Sequence, residues 1–269
     1  MSSAAKALKL LSHFSTERPE IGLSQLCRIA GRDKATTYRH LQALESAGFV
    51  EQNPATKHYR LGPAVMQLAE VREATVPRKD GAKPAIAALA DATGETAHVT
   101  VLSGSTLYGL CECESPHHGI RAVIDLSTWP FHATASGLCA LAFGPASLFE
   151  VATINLERFT AATPDNERDL AALIDDVRGS GFGRAEQTYE DEIQGLSAPL
   201  FDHKGHFAGA VAVACVASRF TIELERTIKS ELTIAAREIT RNWGGTIPAQ
   251  IEAAWARTLT HSNELEPTS

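Results

Sequence analysis

The sequence predicts an α+β fold in two parts: a small helical head closed by a hairpin, and a larger body built on a largely antiparallel sheet. Three observations carry that expectation. The head alternates short apolar-periodic stretches with Gly and Pro breaks, whereas the body groups its strand-like runs together, with helices bunched before and after them. Charge divides along the same line. The 269 residues hold 25 Lys and Arg against 32 Asp and Glu, yet residues 1–75 carry ten basic and seven acidic side chains, leaving 15 and 25 for residues 76–269. A basic head on an acidic body suggests a nucleic-acid partner for the head.

Composition removes several classes. An apolar fraction of 44% is enough to bury a core, and neither Gly nor Pro is in the excess of a collagen-like or disordered chain. No apolar run approaches the roughly 20 residues of a membrane-spanning helix, and no export signal follows Lys6 and Lys9. Five cysteines do not suggest a secreted disulfide framework. The expectation is a cytoplasmic protein with no membrane partner.

Ala7, Leu8, Leu11 and Phe14 give an apolar stripe from Ala4 to Phe14, read as a first helix. After the Pro19 and Gly22 breaks, Ser24 stands as an N-cap ahead of Leu26, Cys27 and Ala30. Gly31-Arg-Asp33 makes a short turn, and Asp33 caps a helix from Lys34 to Ser46 closed by Gly48. Phe49 to Leu61 holds two short strands around a polar Asn53-Pro54 tip. An amphipathic run from Ala64 to Ala74 follows, and Val76 to Gly81 reads as a break.

In the body, Pro84–Ala92 is helical. Thr96–Ser103, Thr106–Cys113 and Ile120–Leu126 read as strands, the first two joined at Gly104-Ser105. Helices cover Thr134–Phe143 and Asp165–Arg178. Three more strands are expected at Phe182–Gln187, Leu196–Asp202 and Phe207–Val216, the last so continuously apolar that it must be buried on both faces. Thr221 caps a long helix to Trp243, Pro248–Leu259 adds a last one, and a polar, disordered tail is expected from His261.

A short helix, a turn with Gly and a second helix make a helix-turn-helix candidate. Thr37, His40, Leu41 and Leu44 recur at helical spacing as the buried face. The opposite face then presents Lys34, Thr36, Tyr38, Arg39 and Gln42, donors able to reach phosphates and base edges in a major groove. Ser24 and Gln25 open the preceding helix. Lys57, His58 and Arg60 stand where a wing would meet the DNA backbone.

At these residues the chain resembles a known family. Ser24-Gln-Leu-Cys-Arg-Ile-Ala-Gly31 with Lys34-Ala-Thr-Thr-Tyr-Arg-His-Leu-Gln-Ala-Leu-Glu-Ser-Ala-Gly-Phe-Val50 is similar to the winged helix-turn-helix of the isocitrate-lyase-regulator (IclR) family of bacterial transcription regulators. Trp129-Pro-Phe-His-Ala-Thr-Ala-Ser-Gly137, Gly181-Phe-Gly-Arg-Ala185 and Ser197-Ala-Pro-Leu200 resemble that family's effector domain. The resemblance covers Ala4 to Gly245. It implies a winged helix-turn-helix over residues 1–62, a linker helix and hinge over 63–80, a GAF- or profilin-like effector domain over 81–246, and a C-terminal helix and tail over 247–269. It also implies a homodimer or homotetramer. Two symmetric heads are then expected to read a double-stranded, pseudo-palindromic operator, and with no catalytic motif in the chain neither enzymatic activity nor a cofactor is expected.

The resemblance further implies a pocket at Ala135, Ser136, Ala185, Ile193, Gly195, Ala212 and Ala214. Almost all are apolar or very small, where relatives that bind small carboxylates carry polar groups. The expected effector is therefore a small, partly apolar organic acid or aromatic metabolite. Gly137 closes one end beside Ser136, Trp129 and Phe131 supply aromatic contact, and Arg121 is the nearest basic candidate for an anion. The sequence departs from the family's usual pattern at His40, commonly apolar, at Leu138, commonly Lys, and at Gln187-Thr188, commonly paired acids.

The sequence also offers the residues of two other chemistries. Cys111, Cys113, His117 and His118 could make a metal- or redox-responsive site, although buried strand cysteines are common and no second pair at metal spacing follows. His132 and Ser136 could share a helix face in a small hydrolase, but no nucleophile-elbow pattern and no oriented acid accompany them.

Overall fold

The computed structural model describes residues 2–15, 18–75, 78–115, 117–125 and 127–264. The chain divides into two compact units, residues 1–77 and 78–269.

The first unit runs α1 (Ser3–Leu8), a 3-10 turn at Leu11–His13, α2 (Leu23–Ala30), α3 (Lys34–Ser46), β1 (Val50–Gln52), β2 (Tyr59–Leu61) and α4 (Pro63–Thr75). The stripe from Ala4 to Phe14 is thus not one helix. α1 ends at Leu8 with Lys9 as its C-cap, and the turn that follows lets Leu10 bury fully with Leu26 and Leu41. α2 begins one residue before Ser24, capped by the extended backbone of Gly22, so the expected Ser24 cap is displaced into the first turn. Gly31 at φ 60° closes α2 in the left-handed conformation that suits glycine. Asp33 then accepts the Thr36 N–H at 2.8 Å and starts α3. Thr37, His40, Leu41 and Leu44 are the buried face of α3, as their spacing predicts. β1 and β2 pair antiparallel from Val50↔Leu61 to Gln52↔Tyr59, and a bridge from Ile21 to Tyr59 ties this wing to the helices.

The second unit contains α5 (Arg78–Thr93), β3 (Thr96–Ser103), β4 (Thr106–Cys113), β5 (Thr128–Trp129), α6 (Ala135–Phe143), α7 (Ser147–Thr153), α8 (Glu167–Ser180), β6 (Gly183–Glu186), β7 (Ile193–Phe201), β8 (Phe207–Val216), α9 (Ile222–Asn242) and α10 (Ala249–Glu264). Its six strands form one antiparallel sheet in the order β5-β4-β3-β8-β7-β6. Val99, Leu196, Val211 and Val213 face a core completed by Ile86, Leu89, Ile228, Leu232 and Trp255 from α5, α9 and α10. On the opposite face, Leu107 and Ala210 pack with Leu138, Cys139, Leu170 and Ile174 of α6 and α8. β8 is buried on both faces, as its apolar run requires.

Three further expectations need correction. The break over 76–81 falls partly on residues 76 and 77, outside the described residues, while Arg78–Gly81 are helical. Their carbonyls are held from the end of α9, by Trp243 Nε1 on Arg78 at 2.9 Å and Asn242 Nδ2 on Gly81 at 2.9 Å. Ile120 to Asp125 is not a strand. It alternates exposed and buried residues as a strand would, but its carbonyls take side chains instead of a ladder: Thr96 Oγ1 on Ala122 at 3.0 Å and Arg219 Nη1 on Ile120 at 3.0 Å. Ala122 and Ile124 therefore lie across the sheet face, packed on Ala214. The expected tail is helical as far as Glu264, because Trp255 is fully buried and bonds the Gly181 carbonyl at 2.8 Å, anchoring α10; residues 265–269 lie outside the described residues. α7 is too short for its periodicity to mark it in the sequence. Among the described residues, no helix is long and apolar enough to cross a membrane.

Candidate functional site

In the first unit, a groove of about 470 Å³ runs between α2, the start of α3 and the wing. Ser24, Gln25, Lys34, Lys57 and His58 line it, joined by Arg28 and Gln52. The wing tip is shaped by Asn53, whose side-chain oxygen accepts the N–H groups of Ala55 and Thr56 at 3.0 and 3.3 Å. Tyr38, Arg39 and Gln42 lie exposed on α3 and Thr36 is half-buried; Gln42 donates to the Tyr38 hydroxyl at 3.1 Å. Arg60 departs from the expected arrangement. It pairs with Glu51 at 2.6 Å and lies 3.6 Å from Glu20, so its charge is already met within the wing. His40 fills the usually apolar position by placing Nε2 3.2 Å from Ser3 Oγ. Burial holds its pKa below the ordinary value, followed by repulsion from Arg32 and Arg39.

The second unit encloses a cavity of about 130 Å³ between the sheet, the first turn of α6, and the segments around residues 122–129 and 188–190. Its floor follows from register. His98 pairs with Ala212 and Ala212 with Ser197; one step along, Thr96 pairs with Ala214, Ala214 with Gly195, and Gly195 with Ala185. Residues directly opposite share a face. α6 approaches this floor closely because Gly183 and Gly195 lack side chains: a Cβ on Gly195 would lie 3.3 Å from that of Ala135. Thr134 caps α6, its hydroxyl accepting the Gly137 N–H at 3.0 Å.

Trp129, Ala135, Ser136, Ala185, Ile193, Gly195, Ala212 and Ala214 line the cavity. Three predicted members do not. Arg121 lies outside it, paired with Glu114 at 2.5 Å. Phe131 is buried in the packing around α6. Gly137 serves that packing instead, since a side chain there would strike the backbone of Pro130 and Phe131.

Sequence reasoning missed His98, Thr134, Thr188 and Tyr189, and the acids Asp125 and Glu190 at the exposed mouth. His98 stacks on Trp129 with centroids 4.7 Å apart, and Trp129 on Tyr189 at 6.5 Å, making an aromatic wall. Burial lowers the His98 pKa to about 4. Burial also raises the Tyr189 phenol, with Glu190 adding to the shift. The 187–190 segment is pinned by Thr160 Oγ1 on the Gln187 carbonyl at 2.7 Å and Thr163 Oγ1 on that of Thr188 at 2.6 Å. The sequence signal for His98 was its place in an apolar strand beside small residues.

The competing chemistries are not assembled. Cys111 is buried in the α5 core, while His117 lies 3.6 Å from Asp91 and His118 3.9 Å from Glu95. Among the described residues, no group of three or more His, Cys, Asp and Glu could hold a metal ion. Among the described residues Ser136 Oγ has no hydrogen-bond partner, and His132 Nε2 lies 2.8 Å from the Glu157 carbonyl instead. Burial pushes the thiols of Cys139 and Cys215 up to about 12, so neither is a ready nucleophile.

Residues 3–54 match the IclR helix-turn-helix domain, and residues 76–241 match the C-terminal domain of bacterial IclR transcriptional regulators. The glycerol operon regulatory protein of Streptomyces griseus is 30% identical over 78% of this chain and 82% of its own. A structure from Silicibacter sp. TM1040, assigned to the IclR regulators, superposes with a TM-score of 0.87 at 36% identity, covering 93% of this chain and 99% of that one. An IclR homolog from Microbacterium hydrocarbonoxydans, complexed with 4-hydroxybenzoate, shares the fold with a TM-score of 0.70 at 21% identity, over 90% of this chain and 99% of that one.

Proposed function

The chain belongs to the IclR family of bacterial transcriptional regulators, with a helix-turn-helix DNA-binding domain and an effector-binding domain, and from that premise we propose how each part works. The head reads one half of a pseudo-palindromic operator, with α3 in the major groove. Arg39 reaches a base edge or phosphate beside Lys34, Thr36, Tyr38 and Gln42. The groove of Ser24, Gln25, Lys57 and His58 holds the sugar-phosphate backbone. Two heads act as a homodimer. α4 supports this reading, because its first residues are fixed to the head by the Ala64 N–H on Gly48 at 3.0 Å while Met66, Leu68 and Val71 stay 73, 56 and 61% exposed. Changing all three to Glu yields a monomer by sedimentation if they pair the heads.

The cavity takes a small, flat organic acid or aromatic metabolite. The carrying observation is the aromatic wall of His98, Trp129 and Tyr189 above a floor of Ala and Gly, in a volume near that of an apolar cavity which admits benzene. The family member complexed with 4-hydroxybenzoate agrees with that chemistry. Ligand binding shifts the heads between two arrangements of unequal DNA affinity. The test is a gel shift on the DNA upstream of the chain's own gene. Arg39→Ala removes sequence-selective retardation, a loss of about 1–3 kcal/mol for a base contact. Ala212→Trp fills the cavity and abolishes ligand-dependent release or recruitment while DNA binding persists. A ligand response unchanged in Ala212→Trp would move the effector site elsewhere.

A further inference from the structure

Two side chains of the cavity carry polar atoms without a hydrogen-bond partner among the described residues. Both ring nitrogens of His98 are buried and unbonded, as is Ser136 Oγ; the residues are 3% and 1% exposed. Such groups are costly when unpaired, so a ligand that meets them gains affinity that an apolar ligand cannot.

Around Ser136 the cavity offers donors. Ser136 stands in the first turn of α6, where the N–H groups of Ala135 and Ser136 have no acceptor within the helix. Donors at a helix N-terminus favour negative charge. Yet among the described residues neither Lys nor Arg lines the cavity, and Arg121 is bound to Glu114. The other titratable groups about His98 are acids and a phenol: Glu112 opposite it on β4, Asp125 and Glu190 at the mouth, and Tyr189 in the wall. A bare carboxylate would enter without a full countercharge, which is expensive in a closed site. The missing positive charge has to arrive as a proton, and His98 is the lining side chain suited to receive it.

We propose that the cavity binds a flat monocarboxylate of single-ring size together with one proton, shared between the ligand carboxylate and the His98 ring, while Ser136 and the first N–H groups of α6 hold the carboxylate from the other side. No covalent bond changes: the proton enters from solvent with the ligand and leaves with it. The proposal rests on the effector reading of this cavity and adds the chemistry of recognition to it.

Unliganded His98 is neutral near pH 7, because burial holds its pKa at about 4. A carboxylate against the ring raises that value. Between the free and bound values each ligand takes up one proton, and affinity falls about tenfold for each unit of rising pH; above the bound value it levels off.

The experiment is calorimetric titration of benzoate into the full chain at about pH 6 and 7, in buffers of low and high ionisation enthalpy, with benzamide as the neutral counterpart. Expected are close to one proton taken up per benzoate at the lower pH, about tenfold weaker binding one unit higher, and no uptake with benzamide. His98→Gln removes the uptake; should that variant not fold, the buffer comparison on the parent chain decides alone. Benzoate bound with no uptake and a flat pH profile overturns the proposal and leaves the cavity reading standing. No benzoate binding at millimolar concentration, or benzamide preferred to benzoate, overturns it as well. Benzoate bound equally by Ala212→Trp shows that the cavity assignment itself has failed.

Discussion

Gly183 and Ala135 compete for one space: the carbonyl oxygen of Ala135 lies where a side chain on Gly183 would have to go. Gly183 pairs with Ser197 on β7, whose hydroxyl also borders the vacant position and stands 3.1 Å from Cys139 Sγ on α6. The missing side chain on β6 is what lets the first turn of α6 press onto the sheet and shape one wall of the cavity.

Gly183→Ala should therefore lift α6 and disturb both stability and ligand binding. The obstacle is backbone, which yields less readily than a side-chain tip, so the cost should reach the upper part of the usual 1–3 kcal/mol for overpacking. Thermal unfolding measures it. Unchanged stability with unchanged ligand affinity would show that α6 can retreat freely.

Glu95 is 1% exposed and is gripped by Arg219 through Nε and Nη2, each at 2.7 Å. Arg219 also bonds the Ile120 carbonyl, at the head of the segment that covers the cavity. Arg219→Ala strands a buried carboxylate and should cost about 3–5 kcal/mol. Glu95→Gln should cost less, since a neutral amide is left buried in place of a charge. Denaturant unfolding of the two variants gives the order, and the reverse order would refute this account.

Acid should weaken the second unit through His98. Its pKa is lowered to about 4 in the folded chain against 6.5 ordinarily, so the unfolded chain binds a proton that the folded one refuses. Stability from this group is complete above about pH 6.5 and declines as pH falls towards 4, by about 3 kcal/mol in total. His98→Gln should flatten that part of the profile. The measure is the difference between parent and variant unfolding free energies at about pH 7 and 4.5.

The wing predicts unequal cations. Lys57 lines the groove, and Lys57→Ala should reduce the slope of log affinity against log salt by about 0.9. Arg60 is already occupied by Glu51 and Glu20, so Arg60→Ala should change the slope far less. Anisotropy titrations over a range of salt separate the two. Equal slopes for both variants would mean that Arg60 abandons its carboxylates on DNA.

What the sequence determined by itself is the set of features whose physics is local. Gly31, Asp33 and the Thr37–Leu44 spacing specify α3 to its ends, because caps and helical periodicity act within a few residues. β3, β4 and β8 were legible for the same reason, as runs bounded by turns, and the small residues of β8 already suggested a space beside the sheet. Tertiary structure alone decided the rest. The 120–125 segment has strand-like alternation, yet whether it joins a ladder depends on Thr96 and Arg219 claiming its carbonyls from elsewhere in the chain. Arg121 is the nearest basic residue to the cavity in the sequence, but Glu114 takes its charge. Along the chain His98 shows only as a histidine in an apolar strand, because its importance comes from three neighbours distant in sequence: Trp129 stacked on it, Ala212 opposite it, and Ser136 across the same cavity. A cavity is made of what several elements leave unfilled, and no single stretch of sequence carries that information.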